Sequence, residues 1–164
     1  MDKKLFYLAC FKEVADAIPA GQLNNTQMEI AVGEYQNCVF LKVFKTAWAN
    51  PSADILTSPS RIFFSIWVDP DNDTQLFYNI HALKLRHLNG HKIQSRKFAD
   101  VFRTAFKPFE NEWPNVSTNF GPLTLMQGQV NRHPDTLNET VHELSLSFIK
   151  IAHLIDRTLS VFQS

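Results

Sequence analysis

Hydrophobic residues in the middle of the chain follow the two-residue period of β-strands. Arg61–Val68 has the densest run of β-branched and aromatic residues, and it is followed by an acidic turn, residues 69–73, and by a second apolar stretch, residues 76–85. These two stretches are predicted to form a hairpin with the acidic turn at its tip.

Three further stretches have strand character. Residues 37–48 alternate well, residues 28–32 form a shorter candidate, and residues 123–127 resemble a strand inside a long connection. Apolar residues occupy both faces of the central strands, so we expect a covering layer on each face of the sheet.

Helical periodicity dominates the two ends of the chain and one internal segment. Residues 3–18 have helix-forming composition. In residues 95–107 a helix places Phe98, Phe102 and Phe106 on one side, and Phe109 continues this stripe. A long helix is predicted from Thr136 to about Phe162, opened by a capping box formed by Thr136 and Glu139. Its length would be roughly 40 Å at 1.5 Å per residue.

Together these elements predict an α+β fold in one domain of 164 residues. We expect an antiparallel sheet of about four strands, covered by the N-terminal helix, the Phe-striped helix and the long C-terminal helix. The C-terminal helix also carries Leu146, Ile149 and Leu154 outside its main apolar stripe. A second buried face of this kind is typical of a helix that packs against another subunit, so a homodimer is one hypothesis.

Composition indicates a globular protein, with 45% hydrophobic residues, 20% charged residues and 14 phenylalanines. The N-terminal apolar run is interrupted by charges after seven residues, and no stretch is long and apolar enough to span a membrane. Cys10 and Cys38 are too few for a disulfide framework. We therefore expect a reduced, cytoplasmic protein with no membrane partner.

Charge is distributed unevenly although the net charge is zero. Residues 74–109 contain seven Lys or Arg but one acid, Asp100, whereas acids exceed bases on both sides of this segment. Such a basic block is typical of a surface that binds an anionic partner. The alternative without a binding function is a solvated helix face whose charges are neutralised by acids of the two flanking segments.

Recognisable catalytic and cofactor motifs are missing from the sequence. There is no phosphate-binding Gly-rich loop and no nucleophile elbow. Asp69, Asp71 and Asp73 have calcium-loop spacing, but Thr74 and Ile80 stand where such a loop needs Gly and Glu. We expect neither a cofactor nor a metal, and the motifs leave open whether the protein is an enzyme.

The preferred functional hypothesis is non-catalytic binding of an anionic partner, either nucleic acid or a phosphate-containing ligand. The predicted anion-binding residues all lie in the basic block: Lys84, Arg86, Lys92, Arg96, Arg103 and Lys107. A second hypothesis is a small-molecule enzyme or ligand binder, because the connection of residues 108–134 is long enough to form a binding loop. Its pocket would lie between this loop and the sheet, with His81, Trp113, Asn115 and Asn119 as polar anchors. The third is a structural protein that dimerises through its C-terminal helix.

Overall fold

A five-stranded antiparallel sheet forms one layer of the protein. The computed structural model describes residues 2–51, 54–72 and 74–164, with the backbone alone for Ile55. The strands lie side by side in chain order. They are β1 (Glu29–Tyr35), β2 (Cys38–Phe44), β3 (Arg61–Val68), β4 (Gln75–Leu83) and β5 (Thr124–Asn131). The sequence predicted about four strands; the fifth is β5, whose sequence resembles a strand within the long connection.

The second layer consists of helices. These are α1 (Lys3–Ala17), α2 (Ala20–Thr26), α3 (Ser95–Phe106) and α4 (Leu137–Val161). Both α1 and α3 pack against α4, while α1 contacts β1 and β2, α4 contacts β2 and β3, and α3 contacts β5. The three long helices therefore lie side by side on one face of the sheet. This arrangement confirms the predicted α+β fold, the hairpin of β3 with β4 and the three predicted helices.

An aromatic cluster joins the two layers. The ring of Phe148 on α4 stacks on Phe64 of β3 at 4.7 Å between centroids, and it contacts Trp113 at 4.9 Å. Tyr78 of β4 adds contacts to Phe148 and Trp113 at 6.3 and 5.3 Å. All four side chains are nearly or completely buried. Large aromatic side chains bury the most area each, so this cluster is the centre of the core.

Two sequence predictions about packing are wrong. Helices α1, α3 and α4 cover one face of the sheet, and not both. On the other face Phe40, Trp67 and Phe77 are half-buried, whereas Phe44 and Phe63 are buried. The predicted capping box does not form either: Thr136 makes no side-chain cap hydrogen bond, and α4 is entered through a 3₁₀ turn, Pro134–Thr136.

The additional apolar residues of α4 pack against other residues of the same chain. Ile149 and Leu154 are 5% and 1% exposed, and Leu146 packs against the core. Flanking helices α1 and α3 bury both sides of α4, so this feature no longer indicates a dimer.

Gly128 of β5 is required by a close approach of backbone and side chain. It lies opposite Tyr78 in the sheet register. The Tyr78 hydroxyl donates a hydrogen bond of 2.5 Å to the carbonyl oxygen of Pro114. A Cβ atom at Gly128 would lie 2.3 Å from the Tyr78 hydroxyl oxygen and 2.9 Å from that same carbonyl oxygen. The hydrogen bond ties the long connection to the sheet only because residue 128 has no side chain.

Replacing Gly128 with Ala is expected to lower the free energy of unfolding by about 1–3 kcal/mol, since the new methyl group must displace a buried side chain. Urea unfolding measures the change. Gly121→Ala is the matched control, because a Cβ atom there meets nothing within 4 Å. Equal stability of the two variants would contradict this account of Gly128.

Candidate functional site

Part of the basic block surrounds a surface cavity of about 480 Å³ at the start of α3. Arg86 lies in the 3₁₀ turn Leu85–His87, and Lys97 lies in the first turn of α3. None of the lining residues that the structure describes is acidic. The lining residues are Arg86, His91, Lys92, Ile93, Gln94, Lys97 and Phe162.

The C-terminus of the chain holds the loop of this cavity in place. The backbone N–H of Lys92 donates to the carbonyl oxygen of Phe162 at 2.8 Å, and the N–H of Ser164 donates to that of Gly90 at 3.2 Å. Gly90 has a φ of +81°, a conformation that glycine adopts without strain. Leu88 and Ile93 are buried on either side. The cationic side chains therefore project from a backbone that is anchored at several points.

Arg103, a predicted anion-binding residue, is engaged within the protein. Its guanidinium group donates hydrogen bonds of 3.0–3.1 Å to four backbone carbonyl oxygens. The acceptors belong to Phe120, Gly121, Thr124 and Leu125. Burial lowers the pKa of Arg103 from its ordinary value, but arginine stays charged. Arg103 therefore holds the segment before β5 and is not part of the candidate site.

The other predicted basic residues lie around the cavity or along α3. Arg86 and Lys92 line the cavity, whereas Lys84, Arg96 and Lys107 are exposed outside it. His91 and Lys97 complete the cavity, although the sequence prediction omitted them. Lys97 falls on a different side of α3 from Arg96 and Lys107, so helical periodicity alone did not group it with them.

The predicted small-molecule pocket does not assemble. His81 of β4 contacts Phe63 on the face of the sheet away from the helices, whereas Trp113 is buried under α4 on the opposite face. Asn115 donates its side-chain N–H to the carbonyl oxygen of Gln129. Asn119 is exposed, and its backbone N–H donates to Ser117. These four predicted anchors therefore do not converge on a single site.

A second surface cavity, of about 580 Å³, lies between α2 and α4. Its charged residues are Lys45, Lys150 and Asp156. Lys45 and Asp156 form an ion pair of 2.5 Å, the indole N–H of Trp48 donates to Asp156 at 2.8 Å, and Lys150 pairs with Glu112 at 3.5 Å. These groups satisfy one another and tie the end of β2 to α4. The cavity therefore offers a ligand little free charge.

Comparison with known proteins identifies no relative of the chain. No protein-family model, curated protein or solved structure matches it. Within the described ranges, no helix is both long and apolar enough to cross a membrane. The same residues contain no group of three or more His, Cys, Asp or Glu side chains arranged for a metal ion. Asp73 of the acidic turn lies outside the described residues, and Asp69 and Asp71 accept hydrogen bonds from Asn37.

The sheet face away from the helices, here called the open face, carries aromatic and polar side chains in separate rows. Phe40, Trp67 and Phe77 lie opposite one another on β2, β3 and β4. The next row consists of Lys42, Ser65, Asn79 and Gln127. Phe63 and His81 form a third row, and Arg61 lies beyond them at the start of β3.

Cationic groups gather around the ring of Phe63. The Lys42 Nζ lies 4.4 Å from the centroids of both Phe63 and Phe40, and the Arg61 guanidinium lies 5.2 Å from that of Phe63. Burial, assisted by Arg61 and opposed by Asp54, lowers the pKa of Lys42 to about 8. Burial is also the main cause that lowers the pKa of His81; Lys42 and Arg61 add to it, and a hydrogen bond with the Leu123 backbone opposes it.

Hydrogen-bonding capacity in the polar row is incompletely used. Asn79 is 2% exposed, and its Nδ2 donates a long 3.4 Å bond to Gln127, but its Oδ1 has no partner among the described residues. The Nε of Arg61 is also buried without a partner among the described residues, although its Nη1 donates to the carbonyl oxygen of Ser58. Buried polar atoms without a partner are costly, so both atoms reduce the stability of the fold.

Lys42 is expected to make stability depend on pH. Its pKa is about 8 in the folded chain and 10.5 ordinarily, so the unfolded chain binds more protons between these values. Stability should therefore rise with pH across that interval, and the full penalty of burying the charge should be present below it. Urea unfolding of the wild type and of Lys42→Met across this range measures the difference, which should shrink as pH rises. Parallel stability profiles would contradict the lowered pKa.

Arg103→Ala is expected to lower the free energy of unfolding by about 1–3 kcal/mol, because four carbonyl oxygens lose a charged donor. Arg96→Ala is the matched control on the same helix, where the side chain is exposed, and it should change stability by less than about 0.5 kcal/mol. Chemical denaturation compares the two variants. Equal stabilities would show that the hydrogen bonds of Arg103 contribute nothing.

Proposed function

We propose that the protein binds a phosphate-containing anionic partner through its basic surface, without catalysis. The basic surface comprises Lys84, Arg86, His91, Lys92, Arg96, Lys97 and Lys107. The observation that carries the proposal is the convergence of Arg86, His91, Lys92 and Lys97 on one cavity whose described lining contains no acid.

The contacts do not favour neutralisation of the basic surface by acids of the flanking segments. Among the described residues, ion pairs join Lys4 to Glu34, Lys45 to Asp156, and Lys150 to Glu112, and none involves the basic surface. Unpaired cations held close together repel one another, and an incoming anion relieves that repulsion. In the part of the chain that the structure describes, the positive charge of the basic surface is therefore not neutralised by ion pairs with acids of the flanks, which supports its availability to an anion.

The types of cation suit phosphate groups. An Arg guanidinium presents a planar fork that can bind two phosphate oxygens, whereas a Lys ammonium acts as a flexible point charge. Arg86 and Lys92 supply one of each at the cavity, and Arg96 and Lys107 extend the positive charge along α3. A chain of phosphates could therefore contact both the cavity and the helix.

Charge reversal at the cavity is expected to abolish most of the binding. Arg86→Glu with Lys92→Glu should weaken affinity for labelled single-stranded DNA or RNA at least about tenfold at roughly 50 mM salt. For every phosphate that the variant no longer neutralises, the slope of log affinity against log salt should also become shallower by about 0.7–0.9. Fluorescence anisotropy at several salt concentrations measures both effects.

Lys3→Glu with Lys12→Glu is the matched control, because it makes the same change in charge on exposed positions of α1. It should retain most of the wild-type affinity. The proposal fails if the wild type binds no polyanion at low salt, or if both double variants bind equally well.

A further inference from the structure

The open face has features that a purely electrostatic phosphate site does not need. Its aromatic row runs across three adjacent strands, where Phe40, Trp67 and Phe77 are each half-buried. Directly beside it runs the polar row, whose half-buried members are Lys42 and Gln127. Aromatic surfaces next to amides and cations are the groups that bind unstacked nucleic-acid bases.

The rings of the aromatic row are arranged so that stacking surfaces remain available. Trp67 and Phe77 stack on each other with centroids 4.4 Å apart and planes 16° apart, so each has one ring face directed away from the pair. The Phe40 ring lies over Gly33 of β1: a Cβ atom at residue 33 would be 3.0 Å from this ring. Phe40 therefore leans away from Trp67, and the Trp67 face that points toward β2 can receive a planar group.

The open face continues into the basic surface. Arg61 pairs with Leu83 at the end of β4, and Lys84 and Arg86 follow directly in the chain. Cations thus extend from Lys42 and Arg61 on the sheet to the cavity at α3. An extended polyanion matches this distribution of charge better than a small ion does.

We infer that the partner is single-stranded nucleic acid, with bases stacked on Trp67 and Phe77 and phosphates bound by Lys42, Arg61 and the basic surface. This inference rests on the proposed function and specifies its ligand. Gln127, the half-buried residue of the polar row on β5, lies where it can hydrogen-bond to a base edge. Stacking on aromatic rings tolerates any base, so weak sequence preference is expected.

Two other occupants fit the face less well. A second copy of the chain packed symmetrically on this face would bring Lys42 and Arg61 of both copies into one interface, and like charges gathered there are unfavourable. Duplex nucleic acid keeps its bases stacked in the helix and offers none to Trp67.

The test compares two ligands against two kinds of variant. The ligands are a short labelled single-stranded oligonucleotide and inorganic polyphosphate, which carries the charge but no bases. Trp67→Leu with Phe77→Leu should weaken oligonucleotide binding about tenfold to a hundredfold and leave polyphosphate binding unchanged. Arg86→Glu with Lys92→Glu should weaken binding of both ligands. Phe6→Leu, at an exposed aromatic residue of α1, is the control that should change neither.

Fluorescence of the unmodified protein provides an independent readout. Trp48 and Trp113 are 0% and 4% exposed, so Trp67 is the tryptophan accessible to a ligand. Saturating oligonucleotide should quench its emission, and polyphosphate should not. This measurement decides the question even where the double Leu variant does not fold.

The outcomes separate the two proposals. One outcome would overturn base stacking and keep the basic surface as an anion site. In that outcome the double Leu variant binds both ligands as tightly as the wild type, and the oligonucleotide leaves Trp67 emission unchanged. Absence of binding to both ligands would overturn the proposed function and this inference together. Preference for duplex over single strands would also overturn the inference.

Discussion

The stack of Phe148 on Phe64 is the contact on which the arrangement of the two layers depends. It attaches the middle of α4 to the central strand of the sheet, and α1 and α3 then pack on either side of α4. Because all three long helices pack on the face of the sheet that carries Phe64, no long helix of the described residues covers the opposite face. The sidedness of the core therefore determines which residues can meet a partner.

Positive charge is common to the two candidate binding regions, the cavity at α3 and the open face. The cavity at α3 gathers cations without paired acids, and the open face holds Lys42 and Arg61 against the ring of Phe63. Keeping cations close together and partly dehydrated costs free energy, which folding must offset elsewhere. An anionic partner would reduce that cost, and this links the two regions physically.

Local pattern in the sequence was enough to predict the α3 and α4 helices and the β3–β4 hairpin, because each has strong periodicity. The sidedness of the sheet was not predictable in the same way. Phe40, Phe63, Trp67 and Phe77 are as apolar as the core residues beside them, so alternation suggested two buried faces. Only the packing of the helices shows which face of the sheet is covered.

The candidate site was predicted in part. The basic block predicted a site within residues 84–107, and Arg86 and Lys92 line one cavity. Arg103 instead donates to carbonyl oxygens of a segment about 20 residues later, which no local pattern reveals. Conversely, Lys42 and Arg61 lie in the acidic first part of the chain, and only the strand register places them beside the other cations.

The central claim is that single-stranded nucleic acid binds the basic surface and the open face. Amide NMR spectra recorded during titration with a single-stranded oligonucleotide would test it most directly. The account predicts shifts concentrated in residues 84–97 and on the open-face strands β2, β3 and β4. Shifts centred on α1 and α2, or no shifts at low salt, would contradict it.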